Sequence, residues 1–316
     1  MMTHSARAMA GMMLAAAFFL LSCAGEPVKT IPAHLSAGAE QITKGNLYYG
    51  KGCYERALEH YLRAHELYCS SDQPRGTAMS LNNIGNAYRA MGDPRAAAAF
   101  FKEAAAVYKE IGDKAGLRQV LSNKAAVLIG EGELKAAGEA LAEASAIIIP
   151  SDTGVFVPIL RNRGILLMRK KDYPAAEEIL RQALAESAKA GLPEQASTHQ
   201  ALGNLLLATN RAGEAAGHFR SALDSDRESG FYRGIADDLY GLGQCRASLG
   251  DYGAAAEYWK RSLQAYALLG CREESVRTME MFKKAAAKSG SETGLTEMFM
   301  KRWIEEGKRL EGPCDD

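Results

Sequence analysis

The chain has 316 residues, and its 38 basic and 38 acidic side chains cancel to a formal net charge of zero. With no basic stripe it lacks the electrostatic footprint of a nucleic-acid binder, so no nucleic-acid partner is expected. A length of this kind ordinarily raises the question of two domains, which the periodicity described below removes.

In chain order, His4 and Arg7 precede an apolar run from Ala8 to Leu21. The run has about the length of a signal-peptide core and is short for a bilayer span. It ends in Leu20-Leu21-Ser22-Cys23. This resembles a bacterial lipobox, with an aliphatic residue three before the Cys and a small one just before it; Leu21 stands where a smaller residue is more usual. The resemblance implies that residues 1–22 are a lipoprotein signal peptide and that Cys23 is the lipidation site. Ala24 follows, which in the enteric sorting scheme implies the outer membrane, facing the periplasm. An inner-membrane or cell-surface orientation stays open, as does an ordinary secretory signal. Each buried CH₂ of an acyl chain contributes roughly 0.8 kcal/mol, so a multiply acylated Cys anchors firmly. Residues 23–37, with Pro27 and Pro32, read as the lipidated Cys and a tether.

From residue 38 one pattern recurs. In Leu81-Asn82-Asn83-Ile84-Gly85-Asn86-Ala87-Tyr88, Gly85 and Tyr88 share a helical face. After a break at Met91-Gly92-Asp93-Pro94, Ala97, Phe101 and Ala104 repeat the 3–4 spacing. Two amphipathic helices joined by a tight turn are expected. The same places are filled by Gly45, Tyr48, Ala57, Tyr61 and Ala64, by Ala125, Leu128, Ala137, Leu141 and Ala144, and again around Gly164, Gly203 and Gly243. Six units begin near residues 38, 78, 118, 157, 196 and 236. The eighth place of each unit is Gly or Ala, which lets a paired helix approach closely. The thirty-fifth is Gly112, Gly191, Gly230 or Gly270 in four units, where a left-handed residue stops a helix at little cost. Pro150 is expected to stop the second helix of the third unit.

The pattern resembles the tetratricopeptide repeat, with Ile84-Gly85, Tyr88, Ala97, Phe101 and Ala104 in the family's places and Leu81 where it has Trp. The resemblance implies an all-α fold, a right-handed superhelix (α-solenoid) of about six helix-turn-helix units over residues 38–270. Residues 271–316 depart from the pattern. They read as a capping hairpin and tail, with one helix from Glu274 to Lys288, a break at Ser289-Gly290-Ser291, and a second from about Thr296 to Leu310. Cys271 and Cys314 flank that hairpin at the same end, so a Cys271–Cys314 disulfide is expected in an exported chain. Cys53 and Cys69 lie too far apart for one, if a single helix carries both.

No catalytic machinery is evident. His65 and Cys69 have metal-ligand spacing, but two ligands do not make a zinc site. His199 holds a core place and reads as packed. The adjacent pairs Asp237-Asp238 and Glu177-Glu178 point apart on a helix and read as solvated surface. No enzyme, metal or cofactor is expected.

In the repeat family the first helix of each unit lines a concave groove. Carried over position by position, this gives a ladder of amides: Asn46, Asn82, Asn83, Asn86, Asn123, Asn162, Asn204 and Gln244. Such groups can pair with the N–H and C=O of an extended peptide whatever its side chains, or can serve helix packing. Tyr49, Met168 and Tyr240 would add apolar pockets and Arg161 a positive spot. Some family members clamp a terminal carboxylate; here Asn46 and Asn83 fit that set, but Ile42, Gln119 and Asn123 stand where the basic residues would be. The expected partners are a protein or peptide in the groove and the membrane through Cys23. The expected role is an interaction scaffold that assists assembly of an envelope complex, with a solute- or peptide-capturing receptor as the alternative.

Overall fold

The computed structural model describes residues 33–149, 156–305 and 313–314. Cys23, the tether up to residue 32, Pro150 and the end of the second capping helix at Leu310 lie outside the described residues. Twelve helices form six antiparallel pairs: α1 Ala33–Lys51 with α2 Tyr54–Ser70, α3 Pro74–Ala90 with α4 Pro94–Glu110, α5 Lys114–Glu131 with α6 Leu134–Ala146, α7 Val157–Arg169 with α8 Tyr173–Ser187, α9 Leu192–Ala208 with α10 Ala212–Ser229, and α11 Tyr232–Ser248 with α12 Tyr252–Leu268. Then come α13 Arg272–Ser289, α14 Gly294–Met300 and a π-helical turn, Lys301–Glu305. No strand occurs among the described residues.

One contact recurs inside every pair. The eighth residue of a unit lies under a large side chain from the second helix. A Cβ added at Gly85 would stand 2.6 Å from the Phe101 ring, and one at Gly243 would stand 2.5 Å from Trp259 Nε1. Gly45 meets Tyr61, Gly164 meets Leu180 and Gly203 meets Phe219 in the same way. In the third unit Ala125 faces the slimmer Leu141. These knobs are buried, Phe101 completely and Trp259 to within 2%. Absence of a side chain on one helix thus makes the hole that the other fills.

Joints between units repeat a second contact. The Tyr68 ring covers Gly76, and the Tyr108 ring covers Gly116. At the fifth joint the corresponding pair is Asp226 and Gly234.

Among the described residues, every turn of the array apart from the joint between α6 and α7 carries one left-handed residue. Gly52, Gly92, Gly132 and Gly250 serve inside units, and Gly112, Gly191, Gly230 and Gly270 serve between them. Where the sequence offers no glycine, Asp72 (φ 49°), Lys171 (φ 66°) and Asn210 (φ 59°) take that conformation. Asp93, Asp172 and Asp251 then cap the following helices by accepting from the N–H of Ala96, Ala175 and Ala254.

Successive first helices touch one another along the array, α1 with α3, α3 with α5, α5 with α7, α7 with α9 and α9 with α11. They form the inner layer. The array also returns on itself, because α11 packs against α1. Gly52, at the first turn, lies so close to Arg233 that an added Cβ would stand 2.7 Å from the Arg233 Cβ. The expected Cys271–Cys314 bond is not formed. Cys314 is bonded to Cys53, 261 residues away, with Cα atoms 5.3 Å apart, and Cys271 is a free thiol. The reason is the closure, which brings the first turn, with Cys53, to the place where Cys314 lies.

A long side chain in the left-handed region costs roughly 1–2 kcal/mol. Lys171→Gly is therefore expected to stabilise the array by about 1 kcal/mol, less the entropy that glycine adds to the unfolded chain. Urea unfolding of the two proteins checks this, and a lower midpoint for the variant would contradict the strain argument.

Candidate functional site

The inner face is built from α1, α3, α5, α7, α9 and α11. Half of the expected amide ladder, Asn46, Asn82, Asn123 and Asn162, is engaged between helices. Asn123 Nδ2 donates to Asn82 Oδ1 at 2.9 Å, and Asn162 Nδ2 donates to the Ser122 carbonyl at 2.9 Å. Asn82 Nδ2 in turn reaches Asn83 Oδ1 at 3.4 Å, and Gln119 Nε2 donates to Asn123 Oδ1 at 3.2 Å. Asn82 and Asn162 are buried. The belt continues through Arg161, whose Nη1 binds Glu194 Oε2 at 2.6 Å and also donates to Ser197 Oγ. It reaches α11 where Gln200 Nε2 donates to Asp238 Oδ1 at 2.9 Å. The Asn82–Asn123, Ser122–Asn162, Arg161–Glu194 and Gln200–Asp238 bonds join one unit to the next. Asn46 is exposed, but its Oδ1 accepts from the Tyr61 hydroxyl at 2.9 Å. Asn86 is half-buried. The Tyr49 ring meets Tyr54 in a tilted contact with centroids 5.1 Å apart, and Met168 packs on the core around Leu202.

What stays open is the end of the ladder. A cleft of about 250 Å³ is lined by Gln200, Asn204, Tyr240, Gln244, Tyr266 and Arg277, with Phe219, Gly241 and Asp237 completing it. Asn204 is exposed and Gln244 half-exposed. The Arg277 guanidinium lies 5.3 Å from the centre of the Tyr240 ring, which fixes both groups by cation–π attraction. Behind it the Tyr240 ring leans on Trp259, whose indole N–H donates to the Tyr240 carbonyl at 3.2 Å. The cleft therefore offers two amides, a flat ring and one cation on a rigid wall. Position-by-position reading missed Arg277, because it stopped at the sixth unit. Carrying the register forty residues beyond Asp237 reaches it.

Asp237 and Asp238 are not a solvated pair. Asp238 is fully buried and Asp226 nearly so. Asp226 takes the joint position that Tyr68 and Tyr108 hold elsewhere, over Gly234. Burial raises both carboxyl pKa values, and for Asp238 the charge of Asp226 adds to this. Asp226 Oδ1 and Asp238 Oδ2 have no donor, so a proton held by the pair is what satisfies it. Asp237 instead faces the seam, accepting from Arg233 Nε at 3.2 Å and from the Tyr266 hydroxyl at 2.5 Å. Of the other pair, Glu178 is exposed, while Glu177 is half-buried between Arg181 and Arg211 at 2.6 and 2.7 Å. His199 is half-buried, its Nδ1 2.9 Å from that of His218. Among the described residues no helix is long and apolar enough to cross a membrane.

The fold is an all-helical solenoid of antiparallel pairs with its amides on the inner layer. Residues 40–110 and 157–228 match one tetratricopeptide repeat family model, and residues 201–269 match a second. Together these take in more than half of the chain, which belongs to the tetratricopeptide repeat family. No curated protein sequence matches it. Among solved structures it is similar to a signal transduction ATPase with a tetratricopeptide repeat sensor from Pyrococcus horikoshii, at 15% identity and a TM-score of 0.61 over 91% of this chain and 43% of that one. It is similar to the Rap conjugation gene regulator of plasmid pLS20 in complex with the Phr* peptide, at 18% identity and a TM-score of 0.58 over 92% and 82%. A Rap protein complexed with competence and sporulation factor gives 15% and 0.56 over 81% and 77%. These likenesses concern the fold.

The carboxyl pair has a pH consequence. Its folded pKa values lie above the ordinary Asp value of about 3.9, so the native state holds more protons than the unfolded chain. Stability is thus full in acid and falls as pH rises from about 4 through the raised pKa values. Asp238→Asn, which keeps the acceptor for Gln200 and gives Asp226 a permanent donor, is expected to flatten that fall. It should be more stable than wild type at pH 8.5 by on the order of 1–2 kcal/mol. Urea unfolding at pH 6 and 8.5 measures it; equal slopes with pH in both proteins would refute the shared proton.

Proposed function

We propose that the chain is a non-enzymatic interaction scaffold that holds an extended segment of a protein partner on its inner face. The cleft around Tyr240 carries this reading. Asn204 and Gln244 supply donors and acceptors for a peptide backbone, Tyr240 supplies a flat apolar seat, and Arg277 favours an acidic side chain or terminus nearby. A receptor for a small solute is the other reading. A cleft of about 250 Å³ falls below the roughly 300–1,000 Å³ that enclose a drug-sized ligand. It suits a short stretch of a longer chain, most of which lies outside it. The family as a whole is one of interaction modules rather than enzymes, which agrees with this reading.

The proposal extends to the address. The lipobox-like Leu20-Leu21-Ser22-Cys23 supports an acylated Cys23 and a scaffold tethered at a bacterial outer membrane, facing the periplasm, where it would assist assembly of an envelope complex. An exported chain also meets the oxidising conditions in which a Cys53–Cys314 bond persists.

Two measurements test the two halves. Peptides selected from a random display library against the chain lacking residues 1–23 should bind the Asn204→Ala, Tyr240→Ala double variant at least ~10-fold more weakly, a loss of about 1.4 kcal/mol. The urea midpoint should hardly move, and unchanged affinity would place binding elsewhere. In fractionated bacterial cells, wild type should be membrane-bound with a mature N-terminus whose mass shows acylation, and Cys23→Ala should be released. A soluble, uncleaved wild type would remove the anchor and leave the groove reading standing.

A further inference from the structure

Closure of the array gathers three cysteines at one cleft. It has a volume of about 740 Å³ and is lined by Cys53, Cys314 and Cys271 together with Arg56, Arg233 and Glu274. Cys53 and Cys314 are bonded to each other, and Cys271 carries a free thiol. Arg233 bridges the two. Its Nη1 donates to Cys271 Sγ at 3.2 Å, while its Cβ and backbone N pack against Gly52, the neighbour of Cys53. One arginine side chain therefore spans the distance from the free thiol to the residue beside the disulfide. Glu274 holds that guanidinium at 2.6 Å, and the Tyr266 ring lies 5.2 Å from it. Arg56 Nε donates to the Cys314 carbonyl at 3.4 Å, so the tail is seated in the same cleft.

We propose that this cleft is a thiol–disulfide exchange site in which Cys271 displaces Cys53 from Cys314. The Cys271 thiolate attacks Cys314 Sγ. The Cys53–Cys314 bond breaks as the Cys271–Cys314 bond forms, and Cys53 leaves as a thiolate that takes up the proton Cys271 gave up. One disulfide and one thiol are present before and after, so no oxidant or reductant is consumed. Cys314 is the accessible sulfur of the pair, since it is half-exposed whereas Cys53 is 3% exposed. Burial raises the Cys271 pKa, with Arg233 opposing, so the attacking form is scarce at neutral pH and grows with alkalinity.

The two isomers differ in what they join. The Cys53–Cys314 bond ties the first unit to the end of the chain across the seam. A Cys271–Cys314 bond keeps the tail on the side of α13 and leaves the α11–α1 contact to non-covalent forces. Exchange thus unlocks the closed array without loss of a disulfide. This inference does not rest on the peptide reading, and it takes from the proposed address only the oxidising conditions in which the disulfide persists.

Disulfide mapping tests it. Oxidised full-length protein carrying Cys69→Ser, which removes the exposed thiol among the described residues, is held at pH 6 or 8.5, acid-quenched, alkylated with N-ethylmaleimide and digested without reduction. At pH 6 the expected products are a Cys53–Cys314 peptide and alkylated Cys271. At pH 8.5 a Cys271–Cys314 peptide with alkylated Cys53 should accumulate roughly tenfold faster or more. Hydrogen exchange of α1 should quicken in parallel, and Cys271→Ser should abolish both changes. Alkylated Cys271 with an intact Cys53–Cys314 peptide at both pH values overturns the proposal. A Cys53–Cys271 peptide also overturns it, because the attack would then fall on the other sulfur.

Discussion

The whole array depends on how closely two helices of a unit can approach. That distance is set by a residue with no side chain, or with a methyl, seated under a Phe, Tyr, Trp or Leu. The contact at Gly85 and Phe101 recurs at Gly45 and Tyr61, at Gly203 and Phe219 and at Gly243 and Trp259. Because interiors are packed like organic crystals, a repeated contact of this kind repeats the angle between units as well as the distance. Five similar steps then bring the last first-helix back to the first one. Closure is an accumulated consequence of local packing, and no single residue at the seam could impose it alone.

At the seam the chemistry changes from apolar to ionic. Arg233 sits against Gly52, binds Asp237 and Glu274, lies over the Tyr266 ring and donates to Cys271. A half-buried guanidinium with this many partners is well satisfied, and removing it would leave Asp237 and Glu274 without their counter-charge. The joint therefore demands a specific mate in a way that an apolar joint does not. The inner belt has the same character on a smaller scale. Asn82, Asn123, Ser122, Asn162 and Gln200 tie neighbours by geometry-dependent bonds that fix one register of stacking.

Much of the fold was legible from the period. Six units, their turns at Gly92 or Gly250 and the capping helix after Gly270 follow from residue spacing, because helix pairing and stopping are local events. Three things were not legible. The belt amides hold the same places as groove amides, and spacing does not say whether a neighbouring unit or a ligand takes their bonds. The burial of Asp238 depends on Asp226 replacing a joint tyrosine, which shows only when Tyr68, Tyr108 and Asp226 are aligned by unit. The Cys53–Cys314 bond depends on the curvature of the whole array, a sum over many joints that no sequence window contains. One local signal did mark it: Cys53 occupies the capping place that Asp93, Asp172 and Asp251 fill in other units, and it makes no capping bond.

Open solenoids melt like a zipper, because each terminal unit has a neighbour on one side only and frays before the middle does. A ring with α11 against α1 gives its first unit a second neighbour. In the one-dimensional description, joining the ends removes the cheap boundary states and requires two interfaces to break before any inner unit can loosen. Such an array behaves less like a string of semi-independent modules and more like one cooperative body. The cost of a local defect is then shared round the circle rather than discharged at the nearest end.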